Sequence, residues 1–186
     1  MLVLASASPR RQELLRNAGI AFTVQPADID EAPLAGESPR DCAERLAREK
    51  ALAVFRNWPQ DYVLGADTIV VIDDAMLGKP RDAADAARML RLLSGRTHAV
   101  ITGVCMAGPL GFERTTSSTT LVSMEELSDE EIRDYIATGE PMDKAGAYAI
   151  QGMASRWIPR IEGDYSNVVG LPVALVYRIL RERGVV

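Results

Sequence analysis

The sequence predicts an α/β protein, because stretches typical of buried β-strands alternate with stretches typical of amphipathic helices. The apolar run at residues 1–5 predicts a first strand, and Ser8 and Pro9 directly after it are residue types preferred at a helix start. Residues 62–73 are apolar at both odd and even positions, which is typical of a central strand buried on both faces. With 186 residues, 47% of them hydrophobic, the chain is expected to form one domain, residues 1–186.

Composition and charge narrow the classes of function. The formal net charge is -5, so the chain lacks the broad basic field that nucleic-acid or anionic-membrane binding requires. Its two cysteines, Cys42 and Cys105, are far apart and lack metal-ligand spacing, which fits a reducing cytoplasm. The first apolar run is too short for a signal peptide, and no segment approaches membrane-spanning length. We therefore expect a cytoplasmic protein that binds no membrane and no nucleic acid stably.

The first helix is predicted from Ser8 to just before Gly19. Its N-terminus presents backbone N–H groups that suit an anion. Arg10 and Arg11 lie in its first turn, where the helix dipole disfavours cations. Two interpretations are open here: the arginines meet a bound phosphate chain, or they are solvated residues of an ordinary strand–helix unit.

The next region holds an acidic loop and a second helix. A short strand at residues 21–26 precedes Asp28, Asp30 and Glu31, which indicate either a divalent cation site or a solvated loop. Ser38 then begins a helix that runs to about Arg56. Lys50 falls on its buried stripe, so its side chain either extends along its neighbours toward solvent or points to an anion in a cleft, and we favour the cleft.

Asp67 is the best catalytic candidate, because it and Thr68 interrupt the central strand at residues 62–73. A carboxylate in such a run must be hydrogen-bonded, paired or bound to a metal, since an isolated buried charge is too costly. The alternative is a structural role, in which Asp67 caps a local turn at Gly65.

The second half of the chain continues the alternation. Lys79 lies between a glycine and a proline in a stiff loop, and we expect a structural role for His98, the only histidine. Small residues around Lys144 and Gln151 would let a ligand approach the backbone closely. Its predicted elements are a helix at 82–93, strands at 97–107 and 112–124 (the latter an edge or exposed strand), a helix at 128–138, a strand at 158–162 and a final helix ending at 183.

Familiar phosphate-binding motifs are missing. The sequence has no Gly-x-x-x-x-Gly-Lys-Ser/Thr loop and no Gly-x-Gly-x-x-Gly fingerprint, and it lacks metalloprotease and nucleophile-elbow motifs. Bound phosphates would therefore be held by dispersed Arg and Lys residues.

Six blocks, in order along the chain, carry a family resemblance. They are Leu-Ala-Ser-Ala-Ser-Pro-Arg-Arg at 4–11, Gly-Ala-Asp-Thr at 65–68, Gly-Lys-Pro at 78–80, Leu-Ser-Gly-Arg-Thr-His at 93–98, Asp-Lys-Ala-Gly-Ala-Tyr-Ala-Ile-Gln-Gly at 143–152 and Val-Val-Gly-Leu-Pro at 168–172. With these blocks the sequence resembles the Maf family of nucleotide pyrophosphatases, first associated with septum formation.

The resemblance implies an α/β fold with a mixed β-sheet, flanking helices and two lobes around a nucleotide cleft, similar to inosine-triphosphate pyrophosphatases. It also implies hydrolysis of a nucleoside triphosphate to the monophosphate and pyrophosphate with Mg²⁺ or Mn²⁺. The resemblance further implies that this activity would limit incorporation of noncanonical nucleotides into nucleic acids and would be linked to cell division arrest. We expect a homodimer.

The resemblance also implies roles for individual residues. Those that would hold the substrate are Ser8, Arg10, Arg11, Lys50, Lys79, Thr68, Lys144 and Gln151. Glu31, in a loosely matching loop, and Asp67 would bind the metal. Asp67 would also be the proton acceptor, with Lys50 and Lys79 as its catalytic partners.

Thr68 and Gln151, together with Arg10, carry the pattern of the subgroup that acts on dTTP and UTP. A Gln amide offers one donor and one acceptor to the imide edge of thymine or uracil. The relative that acts on 7-methyl-GTP has Gln and Glu at the Thr68 and Gln151 positions, and a carboxylate suits the adjacent donors of guanine. The alternatives are that 7-methyl-GTP activity, or a non-catalytic septum-formation regulator that binds nucleic acid or a partner protein.

Overall fold

The computed structural model describes all residues, Met1–Val186, and its main elements follow the predicted order. The seven strands are β1 (Leu2–Leu4), β2 (Thr23–Val24), β3 (Tyr62–Ile72), β4 (Ala75–Leu77), β5 (Thr97–Gly108), β6 (Phe112–Ser123) and β7 (Arg160–Glu162). The six α-helices are α1 (Pro9–Asn17), α2 (Pro39–Phe55), α3 (Ala83–Leu93), α4 (Asp129–Ala137), α5 (Tyr165–Val169) and α6 (Val173–Glu182). Short 3₁₀ segments are Pro109–Gly111, Glu140–Asp143, Ala145–Ala147 and Met153–Trp157.

The strands form one mixed sheet in the order β2-β1-β3-β5-β6-β7, with β4 paired to β3. β1 is parallel to both β2 and β3, whereas β4 is antiparallel to β3 and β7 to β6. The predicted mixed α/β architecture with flanking helices is therefore confirmed. None of the helices is both long and apolar enough to cross a membrane.

The chain forms two compact units. The first comprises Met1–Thr68, Thr102–Ser118 and Gly170–Val186, and the second comprises Ile69–Ile101 and Thr119–Val169. The chain therefore passes between the units four times, after Thr68, Ile101, Ser118 and Val169.

The first unit has helices on both faces of its part of the sheet. Alternate strand residues face opposite sides, and both sides carry apolar side chains that the helices cover. On one face, side chains such as Leu4, Leu64 and Met106 pack against Leu15 of α1 and Ile179 of α6. The apolar residues on the other face pack against α2; they include Val3, Val63 and Cys105 from the strands and Ala47, Ala51 and Val54 from α2.

Two glycines let α2 lie directly on the sheet. A Cβ added to Gly65 of β3 would lie 2.1 Å from the Ala47 carbonyl oxygen, and one added to Gly103 of β5 would lie 2.2 Å from that of Ala43. Atoms cannot approach so closely, so only glycine permits this spacing. Gly65 therefore serves helix packing, and the same face of β3 carries Asp67 two residues later.

The second unit packs α3 against α4, with the 3₁₀ segments beside them. Met89, Leu90 and Leu93 of α3 and Ile132 and Tyr135 of α4 are all buried. Helix α4 begins with a complete capping box, in which Ser128 and Glu131 bond each other's backbone N–H groups.

Three features differ from the sequence-based expectation. β4 was not predicted; Asp73 and Asp74 adopt positive φ of 49° and 62° and so turn the chain back onto β3. The short helix α5 was also not predicted. Most of β6 is half-buried and only Glu113, Thr119 and Leu121 are exposed; it is an edge strand only before Leu121, since β7 pairs with its last residues.

Candidate active site

A lysine and two carboxylates form the centre of the first unit's polar site. Lys50 Nζ lies 2.6 Å from Asp67 Oδ1 and 2.8 Å from Glu31 Oε1. Lys50 and Asp67 are only 7% and 9% exposed, whereas Glu31 comes from an exposed loop. The prediction that Lys50 points inward is confirmed, and Asp67 is paired, which is one of the three states expected of it. The alternative role of Asp67 as the cap of a turn at Gly65 is not observed, because both residues lie within β3.

The donor set suits a hard divalent cation. Glu31 and Asp67 offer carboxylate oxygens, and with Lys50 the three side chains carry one net negative charge. No group of three or more His, Cys, Asp or Glu side chains is arranged to hold a metal by itself. Mg²⁺ is typically bound by one or two carboxylates together with substrate phosphates. The residues present therefore fit a metal that a bound phosphate chain would help to coordinate.

The start of α1 lies beside this centre. Ser8 is the N-cap, with Pro9 in the first turn as predicted, and its Oγ accepts the backbone N–H of Arg11 at 3.4 Å. The Ser8 backbone N–H donates to Ser6 Oγ at 3.2 Å. The loop lies at the carboxyl end of β1, the edge of an open α/β sheet where ligands typically bind.

Three nitrogen atoms of the Arg11 side chain donate hydrogen bonds to other groups of the protein. Its Nε donates to the Gly170 carbonyl oxygen at 2.7 Å, Nη1 to Ser6 Oγ at 3.3 Å and Nη2 to Thr68 Oγ1 at 3.1 Å. Burial lowers the pKa of this guanidinium, while the nearby Asp67 carboxylate raises it. Arg11 is therefore close to the acidic centre, although its hydrogen bonds run to other groups.

Thr68 connects this arginine to β5. Its hydroxyl lies 2.9 Å from the Thr102 hydroxyl and 3.4 Å from the Gly170 carbonyl oxygen. Thr102 is fully buried. Consecutive strand residues face opposite sides of a sheet, so Thr68 points away from the face on which Asp67 meets Lys50.

Lys79 and Lys144 belong to the second unit. The Gly146 backbone N–H donates to the Gly78 carbonyl oxygen at 3.1 Å, which holds the two lysine-bearing segments together. Gly146 has a φ of +69°, and its added Cβ would lie 3.0 Å from the methyl carbons of Val70. Lys144 contacts Asp143 and donates to the Glu140 carbonyl oxygen at 3.2 Å.

Gln151 is exposed on a segment that Glu140 organises. The Glu140 carboxylate accepts the Tyr135 hydroxyl at 2.8 Å and the Met153 backbone N–H at 3.2 Å. An added Cβ at Gly152 would lie 2.1 Å from Glu140 Oε1. No sequence motif marks Glu140, and only the glycine directly after Gln151 indicates such a close approach.

His98 has the structural role expected from its position. It is 2% exposed, and its Nε2 lies 2.6 Å from the Tyr148 hydroxyl. Burial lowers the pKa of His98 to about 4 and raises the pKa of Tyr148, so a neutral imidazole and a protonated phenol share this hydrogen bond. This bond anchors the segment that leads to Gln151.

The buried His98 makes a pH dependence of stability testable. The pKa of His98 falls from 6.5 unfolded to about 4 folded, so the unfolded chain binds more protons between these values. The contribution of neutral, buried His98 to the unfolding free energy is therefore complete above pH 6.5 and is lost as the pH falls toward 4. Between pH 7.5 and 5 we expect wild type to lose about 2 kcal/mol more unfolding free energy than His98→Gln in urea titrations. Equal losses of unfolding free energy in wild type and His98→Gln would contradict the lowered pKa of His98.

The predicted site residues thus fall into two groups. The first unit holds Ser8, Arg10, Arg11, Glu31, Lys50, Asp67 and Thr68, and the second holds Lys79, Lys144 and Gln151. Within the first group, the charges of Arg10, Glu31 and Asp67 are close enough to affect the pKa of Arg11.

Comparisons with known proteins agree with the sequence blocks. A family model described as Maf-like protein matches residues 1–183. The chain is 62% identical over 184 residues to a dTTP/UTP pyrophosphatase of Koribacter versatilis (strain Ellin345), covering 99% of this chain and 95% of that protein. It is 50% identical over 183 residues to a dTTP/UTP pyrophosphatase of Geobacillus sp. (strain WCH70), covering 98% of each. The solved structure of the Staphylococcus aureus Ham1 protein matches in fold, with a TM-score of 0.53, 13% identity and 98% of each chain covered.

Proposed function

The chain belongs to the family of Maf-like proteins, and from that premise we propose that it hydrolyses dTTP and UTP to the monophosphate and pyrophosphate. Relatives named dTTP/UTP pyrophosphatase that are 62% and 50% identical over nearly the whole chain support this proposal. The observation that carries it is the contact of one buried lysine, Lys50, with two carboxylates, Glu31 and Asp67. Such a cluster provides both a proton acceptor and fixed positive charge.

In the proposed reaction, Asp67 accepts a proton from a water molecule that attacks the α-phosphorus. The new bond joins the water oxygen to that phosphorus, and the bond from phosphorus to the bridging oxygen breaks, which releases pyrophosphate. Lys50 holds Asp67 Oδ1 at 2.6 Å and so orients the carboxylate. Positioning and electrostatic stabilisation supply most of the rate in phosphoryl transfer of this kind.

Glu31 and Asp67 are the residues that would hold Mg²⁺ or Mn²⁺. When bound, the cation supplies positive charge that polarises the phosphoryl oxygens and offsets the charge of the leaving group. The remaining charge of the triphosphate is met by the α1 N-terminus at Ser8 and by basic side chains. In this proposal those side chains are Arg10, Lys50, Lys79 and Lys144.

A panel of nucleoside triphosphates assayed for pyrophosphate release with Mg²⁺ or Mn²⁺ tests the function. We expect dTTP and UTP to have the highest kcat/KM. A preference for 7-methyl-GTP would replace this proposal by the related activity, and no release from any nucleotide would favour a non-catalytic regulator. The cytoplasmic location and the homodimer stay predictions, which cell fractionation and light scattering test.

Gln151→Glu should lower kcat/KM for dTTP and UTP about ten-fold or more while affecting purine nucleotides less. The carboxylate only accepts hydrogen bonds, so it leaves one carbonyl of the pyrimidine without its donor and places an acceptor against it. The measurement is kcat/KM for dTTP, UTP, dGTP and 7-methyl-GTP. Gln60→Glu, an exposed substitution of the same kind, is the matched control. An unchanged substrate ranking would rule out pairing between Gln151 and the base.

A further inference from the structure

The side chain of Arg11 is committed to the protein's own polar groups. Nε, Nη1 and Nη2 each donate one hydrogen bond, to the Gly170 carbonyl oxygen, Ser6 and Thr68 respectively. Gly170 is 159 positions away in the sequence, so this fork joins distant parts of the first unit. A lysine at this position would keep the charge but lose the planar fork.

The Thr68 hydroxyl is the hub of the same network. A hydroxyl offers one donor and two acceptor positions. Arg11 donates to one acceptor position, Thr102 lies 2.9 Å away, and the Gly170 carbonyl oxygen accepts at 3.4 Å. When Thr102 is the donor, all three positions are used. A hydrogen bond from Thr68 to a nucleobase would then require one of these bonds to break.

Three residues of this network lie at positions where the chain enters or leaves the first unit. Thr68, Thr102 and Gly170 each lie at the boundary of a segment of the first unit, where the chain leaves or enters it. Arg11 and Thr68 therefore tie together three of the four such boundaries. Fixing Thr68 also restricts the rotation of β3 at the preceding residue, Asp67.

We propose that Arg11 and Thr102 are positioning residues that act through Thr68, and that the Thr68 hydroxyl binds this network rather than the nucleobase. The inference rests on the function proposed above. Its physical basis is that the network holds β3 at Thr68, so that Asp67 on the opposite face keeps its orientation against Lys50. Loss of the network should thus lower kcat, whereas loss of a phosphate ligand should mainly raise KM.

The test compares Thr102→Val, Thr102→Ser, Thr68→Val and Arg11→Lys with dTTP and UTP as substrates. Thr102→Val keeps the side-chain shape and removes the hydroxyl, and Thr102→Ser keeps the hydroxyl. We expect kcat for dTTP to fall roughly ten-fold in Thr102→Val, with KM changed less than about two-fold, and to recover in Thr102→Ser. Thr119→Val, at an exposed position of β6, is the matched control and should keep wild-type kinetics.

Two further measurements decide between positioning and direct contact. Double variants should lose less than the product of their single losses, because each variant breaks the same network. Thr68→Val and Thr102→Val should also both leave the ranking of dTTP, UTP and dGTP unchanged, because in this proposal neither hydroxyl contacts the base. A multiplicative effect of Arg11→Lys and Thr102→Val, or a ranking change confined to Thr68→Val, would overturn the proposal.

The activity of wild type shows whether the proposed function or only the positioning role is wrong. If wild type releases pyrophosphate from no nucleotide, that function is wrong, and the role inferred here for Arg11 and Thr102 falls with it. If wild type is active but Thr102→Val and Thr102→Ser both match it in kcat and KM, only the positioning role is wrong. Loosening of the network in Arg11→Lys and Thr102→Val should appear as faster hydrogen exchange of the amides at residues 168–171 than in wild type.

Discussion

Asp67→Asn should reduce pyrophosphate release from dTTP by about three orders of magnitude, since general-base catalysis contributes on that scale. The amide has nearly the same shape as the carboxylate, and its oxygen still accepts the hydrogen bond from Lys50, 2.6 Å away in wild type. It cannot, however, accept a proton from water. Lys50 keeps a charged partner only in the exposed Glu31, so we expect the unfolding free energy to fall by up to roughly 3 kcal/mol.

Nucleotide binding separates this catalytic loss from a general defect. Calorimetric titration in EDTA, where the metal role of Asp67 does not contribute and wild type does not turn over, should give a dissociation constant for dTTP within about five-fold of wild type. Asp134→Asn, at an exposed position of α4, is the matched control and should keep full activity. Near-wild-type turnover in Asp67→Asn would remove Asp67 from the role of proton acceptor.

The sequence predicted the helices and strands well where local signals set them. Ser8 and Ser38, each followed by proline, correctly marked the starts of α1 and α2. The apolar spacing of α2 also placed Lys50 on the buried side. It did not identify Asp67 as the partner of Lys50, because that contact depends on how α2 lies across β3. Gly65 sets this spacing, yet in the sequence it resembled a local turn.

The partners of the two adjacent arginines, Arg10 and Arg11, could not be predicted from the sequence either. The local pattern at the start of α1 offers no difference between Arg10 and Arg11, and both matched an anion site at a helix start. The structure gives Arg11 a specific partner in the Gly170 carbonyl oxygen, which belongs to the segment before α6. A backbone carbonyl has no residue-type signature, so no sequence pattern could have predicted that hydrogen bond.

The missed elements have physical causes as well. The turn between β3 and β4 uses Asp73 and Asp74 at positive φ, where Asn-Gly is the usual signal. The five residues of α5 are too few for a helical period to be recognised. Glu140 was overlooked because a glutamate near a proline and a glycine resembles an exposed loop residue, whereas its carboxylate bonds Tyr135 and Met153.

Lys50→Met should lower the unfolding free energy measured in the absence of metal. It should also increase the rise in Tm that divalent cations cause. Lys50 is the positive group between Glu31 and Asp67, and it is 7% exposed. Its removal leaves the buried Asp67 charge unpaired and close to a second carboxylate. Breaking a buried ion pair in this way costs roughly 3 kcal/mol, which urea unfolding in EDTA would measure. Exposed Glu31 contributes little to this loss, since its contact with Lys50 is screened by solvent.

Mg²⁺ or Mn²⁺ should restore part of the lost stability, because binding to the folded state alone raises the unfolding free energy. Without the competing ammonium group, the two carboxylates attract the cation more strongly, so Tm should rise more with metal in Lys50→Met than in wild type. The double variant Glu31→Gln/Lys50→Met removes one of the proposed ligands and should lose most of this response. If all three proteins gain the same Tm with metal, Glu31 and Asp67 are not its ligands, and the catalytic role of Asp67 must be explained without a cation at that position.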